Sequence, residues 1–357
     1  LVLSTYFKGL LLYCLNNIQG ERSSYAVYHI LKGKKSSQTI QDCRLFQLES
    51  LFNCYRSLKR GELDNRIEQL IESNEIEPVQ IDKNHFVLTP YGRDSLERWE
   101  TSQGLPPHLN GASYSQYEEI FWKRLSLGFQ VLSNSAHECR QYIPITRDEQ
   151  ILFWVKKWLN HHTSSSSTIN QFYQELYELL NQLDDLQASI FVHKLTGYKK
   201  IGKTIDQLSE ILNIDSIYGH LSFVSTLHYL IGNIIKKKQK YPILFSFISD
   251  LAEGPSFTVS TSKTYLLLQK GYSIEEIALV RQLKQNTIED HIVEIALLDK
   301  NFSISSFISP ELEEKINRTA LQLDTKKLKL LKDKHPEASY FQIRLVLARQ
   351  GRVTSGS

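Results

Sequence analysis

Apolar residues recur at helical spacing through most of the 357-residue chain, and period-two alternation is confined to one short stretch. The pattern predicts a mainly α, multi-domain protein with one small β-hairpin. In residues 1–100, Gly33 breaks two helical stretches, and Ser36 or Ser37 can cap the second. A helix follows from about Leu63 to Glu72, then alternating residues around the turn-forming Asp82, Lys83 and Asn84. Thr89 with Pro90 starts another helix, Thr as cap and Pro as first helical residue. Helices followed by a hairpin predict a winged-helix-like domain over residues 1–105. The Gly, Pro and Ser content of TSQGLPPHLNGAS then marks a boundary.

Residues 114–252 read as a helical middle domain, with Phe and Trp stripes such as DEQILFWVKKWLNHH forming its core. Within it HHTSSSST is a low-complexity loop, and Ile169 to Leu195 is a helix pair. Gly254-Pro255 marks a second boundary, and residues 256–350 form the third domain. That domain closes with a short helix from Pro310, a Lys-rich helix around Lys326 to Lys332, and SYFQIRLVLAR.

Charge changes this picture only locally, because 42 Lys and Arg against 39 Asp and Glu leave a net +3. Such a balance does not mark a nucleic-acid protein, so any basic footprint must be a patch. Cys14, Cys43, Cys54 and Cys139 form no CxxC pair, which predicts a reducing cytoplasm. The opening LVLSTYFKGLLLYCLNNIQG imitates a signal peptide, but Lys8 and Gly9 interrupt it and no small-residue cleavage site follows. It reads as an amphipathic helix. The apolar run Ile243 to Ile248 falls well short of the ~20 residues of a membrane span, so no membrane partner is expected.

From Ser262 onward the signals become specific. A first helix stops at Gly271, which can take the positive φ of a tight turn, and Ser273 caps a second helix with Glu275 and Glu276 in its first turn. Ile274, Ile277 and Ala278 line its inner face. A third helix opens with Gln285, Asn286 and Thr287, while Ile288, Ile292 and Ile295 point inward. In a recognition helix, polar positions at the start read base edges. The stretch GYSIEEIALVRQLKQNTIEDHI resembles the helicase-associated helix-turn-helix at the C-terminus of RecQ-type helicases, and LKLLKDKHPEASYFQIRLVLAR resembles that module's closing helices. Together with ILKGKKSSQTIQD, the chain is similar to the YpbB-like family of Bacillus-type bacteria, commonly encoded beside a RecQ-type helicase. The resemblance implies DNA and that helicase as partners. One departure is Lys284, where many relatives carry a Ser cap.

Between Ser262 and Leu298 four basic residues (Lys263, Lys270, Arg281, Lys284) face five acidic ones, so this module is a weak phosphate binder on its own. The segment Arg22 to Arg60 is different, with eight basic residues against Asp42 and Glu49. Lys32, Lys34 and Lys35 precede Ser36, Ser37, Gln38 and Thr39 at a helix start, where N–H groups and hydroxyls can hold phosphate. The candidate nucleic-acid residues are therefore these seven with Arg44, and Lys284, Gln285, Asn286, Thr287 and His291.

Enzymatic chemistry finds one foothold. GYKKIGKT, Gly197 to Thr204, matches the P-loop pattern GxxxxGK[ST], and ILFSFISD ending at Asp250 could serve as its magnesium-binding strand. DDLQASIFVHKLT before Gly197 fits a helix about as well as the strand a P-loop needs. His137 with Cys139, and His161 with His162, lack zinc spacing, so no metal or cofactor is expected. The expected function is a non-enzymatic, DNA-binding accessory of a RecQ-type helicase. A sequence-specific transcription regulator and an NTPase using Lys203 and Thr204 are the two rivals.

Overall fold

The computed structural model describes residues 5–79, 84–162, 166–251, 257, 259–299, 301–323 and 328–350. Among them are eighteen α-helices, one short 3-10 turn and a single two-stranded sheet. The chain opens with α1 (Thr5–Ile18), α2 (Ser24–Leu31), α3 (Ser37–Leu45) and α4 (Arg60–Glu72). The hairpin β1 (Ile76–Pro78) and β2 (Phe86–Leu88) and helix α5 (Pro90–Ser102) follow. Next come α6 (Gly111–Ala136), α7 (Glu149–His161), α8 (Ser166–Leu180), α9 (Asp185–Lys194), α10 (Ile205–Leu212), α11 (Ser216–Lys236) and α12 (Pro242–Ser246). The chain closes with α13 (Val259–Gln269), α14 (Ile274–Arg281), α15 (Gln285–Leu298), α16 (Pro310–Gln322), α17 (Leu328–Lys334) and α18 (Tyr340–Gln350).

Local signals placed these elements where the chain chemistry puts them. The Ser36 hydroxyl accepts from Thr39 N–H to cap α3, and Thr89 accepts from Gly92 N–H with Pro90 as the first residue of α5. The expected turn residues Asp82 and Lys83, the Gly254-Pro255 boundary, and Thr163 to Ser165 of the low-complexity tract lie outside the described residues. Ser166 to Thr168, expected in a loop, instead open α8.

The grouping of the helices differs from the expected three domains. Two compact units form, the first from Leu1–Asn16, Ser50–Glu77 and Val87–Glu253, the second from Asn17–Glu49, Pro78–Phe86 and Gly254–Ser357. The division runs through α1 and the hairpin, so residues 1–105 are not one compact body. The stretch 101–113 lies inside the first unit, where it bonds to α11. His108 N–H donates to the Ser225 hydroxyl and Asn110 N–H to His228 Nδ1, at 3.1 and 3.0 Å. Non-local packing decides these assignments, and local turn composition cannot report it.

In the first unit, α6 and α11 run through a core containing Phe121, Leu125, Phe172, Phe191, Leu227 and Phe247. Asp250 pairs with Arg124 from α6. In the second unit α15 is central, packed by α13, α14, α18 and α3. Arg344 of α18 fastens this arrangement, its Nε donating to Gln41 Oε1 of α3 at 3.0 Å and its Nη1 meeting Asp290 of α15 at 2.6 Å. Among the described residues no helix is long and apolar enough to cross a membrane.

Candidate nucleic-acid interface

Helices α13, α14 and α15 form the trio read from the sequence. Gly271 takes φ +85° at the first turn. Ser273 caps α14 in a full capping box, accepting from Glu276 N–H while the Glu276 carboxylate accepts from Ser273 N–H. Ile277, Ala278, Ile288 and Ile292 are buried between the helices. Lys284 stands at the cap position of α15 without a side-chain cap bond.

Beyond its first turn α15 is not a free recognition helix. Residues His291 to Leu297 are buried without a break, so every face of that segment is covered, as in a core helix. Lys284, Gln285 and Asn286 are exposed and Thr287 is half-buried, but His291 is only 7 % exposed. This corrects the expectation for His291. Its spacing from Ile288, Ile292 and Ile295 places it on the inner stripe, where its Nδ1 lies 2.9 Å from the Thr264 hydroxyl and 3.2 Å from Arg281 Nη1. With the arginine donating, that nitrogen accepts and the ring is neutral.

Burial, reinforced by Arg281, holds His291 below the ordinary histidine value. Burial does the same to His220, whose Nε2 donates to the Cys54 carbonyl. As pH falls through about 6.5, the unfolded chain takes up protons that these folded rings refuse. Stability is therefore intact above that value and declines below it. Thermal melts are expected to show a lower Tm at about pH 5 than at about pH 7.5, and His291→Asn is expected to shallow the decline.

The second candidate patch belongs to the same unit. Lys34, Lys35 and Gln38 are exposed, Lys32 lies over the Tyr28 ring, and Arg44 is half-buried near Glu49. Thr39 is buried and bonded to Ser36, so these two hydroxyls are engaged in the cap. Ser37 is the first residue of α3. Asp42 is buried and paired with Arg22 Nε at 2.9 Å, and burial raises its carboxyl above the ordinary value against the pull of that arginine. Lys34 and Ser36 line an open cleft of about 600 Å³ together with Arg22, Tyr25, His29 and Lys329. Lys329 was missed because the lysine-rich pattern of α17 indicates a solvated helix and not which distant turn it adjoins.

The P-loop reading is overturned. Helix α9, capped by Asp184, precedes Gly197, and Thr204 caps α10 in a capping box. The stretch ending at Asp250 contains α12 and not a strand. Without a strand and a sheet behind it, the loop cannot wrap phosphates.

A helix-turn-helix domain family matches residues 260–347. Over 346 residues the chain is 37 % identical to Protein YpbB of Bacillus subtilis (strain 168), covering 97 % of each sequence. No solved structure matches it.

Proposed function

The chain belongs to the YpbB family, and from that premise we propose that it is a non-enzymatic DNA-binding protein that couples a RecQ-type helicase to DNA in repair. One observation carries the DNA part. Lys34, Lys35 and Lys284 are exposed in one compact unit and form no ion pair among the described residues, and the exposed amides of Gln285 and Asn286 follow Lys284, whereas the Gln38 amide is engaged, its Nε2 donating to Asp42. Unpaired surface cations with neighbouring amides suit phosphate contact, which supplies sequence-independent affinity.

The helicase part rests on the likeness of Gly271 to Ile292 to the helicase-associated module, and on one surface property. Leu279 and Val280 are exposed on α14, as are Glu275 and Glu276. An acidic, apolar face repels phosphate and suits a protein. Reading of a specific operator is disfavoured, because buried His291 leaves few side chains for base edges. Affinity is therefore expected to vary little among duplex sequences.

Co-purification with the RecQ-type helicase of the same cell tests the coupling. A complex with wild-type chain that is lost in Leu279→Asp supports it, and absence of any complex rejects it. Because Leu279 is exposed, that variant is expected to melt like wild type.

A further inference from the structure

The segment Gly197 to Thr204, which builds no P-loop, is a tightly held turn. Gly197 and Lys200 exchange two backbone hydrogen bonds, N–H to carbonyl at 3.0 and 3.2 Å. Tyr198 N–H donates to the Ser133 hydroxyl, Gly202 N–H to the Thr196 hydroxyl, and Lys203 N–H to the His193 carbonyl. The Tyr198 ring stacks on His137 with centroids 4.3 Å apart. At Gly202 a Cβ would come within 2.2 Å of the Lys194 carbonyl oxygen, so the turn admits no side chain there.

Two features of this turn work against a bland surface role. Lys199 holds φ +55°, at a position where glycine or asparagine is the ordinary choice. Ile201 is 88 % exposed, between Lys200 and the glycine that precedes Lys203. Lys199, Lys200 and Lys203 form no ion pair among the described residues.

We propose that this turn is a second DNA contact, in which the lysines grip the phosphates of duplex DNA and Ile201 wedges between base pairs from the minor groove. Apolar wedges flanked by cations are how minor-groove proteins unstack a step and kink the duplex. A single strand would need an exposed aromatic platform, and Tyr198 is instead stacked on His137. Pre-formed geometry means the turn spends little ordering entropy on binding. The inference rests on the reading that the protein binds DNA, but it uses residues of the first unit only.

The test measures the full chain on a duplex of about 20 base pairs carrying 2-aminopurine, across salt. The variant Lys199→Gly, Lys200→Ala, Lys203→Ala relieves the strained φ, so its fold is expected to be retained. It is expected to bind at least roughly 10-fold more weakly, with the log–log salt slope shallower by about 2.7. Ile201→Ser is expected to leave the slope unchanged, bind a few-fold more weakly (on the order of 3–10-fold), and abolish the fluorescence rise that reports unstacking. Wild-type affinity in both variants overturns this contact alone, whereas failure of the wild-type chain to bind any DNA overturns the proposed function as well. Stronger retention on anionic phospholipid vesicles than on duplex, or a preference for single strands without a fluorescence change, also overturns it.

Discussion

Replacing Arg124 with alanine is expected to lower the stability of the first unit by about 2–4 kcal/mol, seen as a Tm lower by roughly 5–12 °C. Its Nη1 and Nη2 bind both carboxylate oxygens of Asp250 at 2.7 and 2.8 Å, and Nη1 also donates to the Phe247 carbonyl at 2.9 Å. The guanidinium lies 4.0 Å from the centroid of the Trp154 ring. It therefore ties α6 to α7 and to the chain beyond α12 at once. Arg124 is only 7 % exposed while the Asp250 side chain is half in solvent, so the upper end of the range for buried pairs is not reached. Arg124→Lys keeps the charge and loses the fork, and about half the loss is expected from it. Equal melting of wild type and Arg124→Ala would count against this junction.

The largest functional effect is expected from removing Lys34, Lys35 and Lys284 together. If each neutralises one phosphate, each contributes about 0.9 to the salt slope, and the triple alanine variant loses roughly two orders of magnitude in DNA affinity near 0.1 M salt. The three side chains are exposed and make no ion pair among the described residues, so melting should be unaffected. An affinity loss confined to a single DNA sequence would point instead to base reading by Gln285 and Asn286.

Much of this architecture was legible in short-range chemistry. Gly271, Ser273 and Glu276 announce a turn and a capping box, and Thr89-Pro90 announces α5, because each satisfies a local backbone demand. What covers α15 was not legible. Gln41 and Arg344 meet across 303 residues, and the apolar positions of α18 say only that it is buried, not against what. For the same reason the sequence places α2 and α3 in an N-terminal domain, whereas they fall in the unit that holds the helix-turn-helix. The burial of His291 was within reach, since 288, 291, 292 and 295 share one helical face. At Gly197 to Thr204 the pattern of a phosphate loop is present without its fold, and helical spacing in the preceding DDLQASIFVHKL was the available sign.

The proposed function requires a chain of nearly balanced charge to bind DNA through a few unpaired lysines in the loops that lead into α3 and α15. Fluorescence anisotropy of the wild-type chain on one duplex, titrated from roughly 50 to 200 mM salt, tests it most directly. Log affinity is expected to fall linearly with log salt, with a slope of about −3 to −5 that differs little between unrelated sequences. A chain that leaves the duplex free at the lowest salt, or one whose affinity ignores salt, would contradict the account.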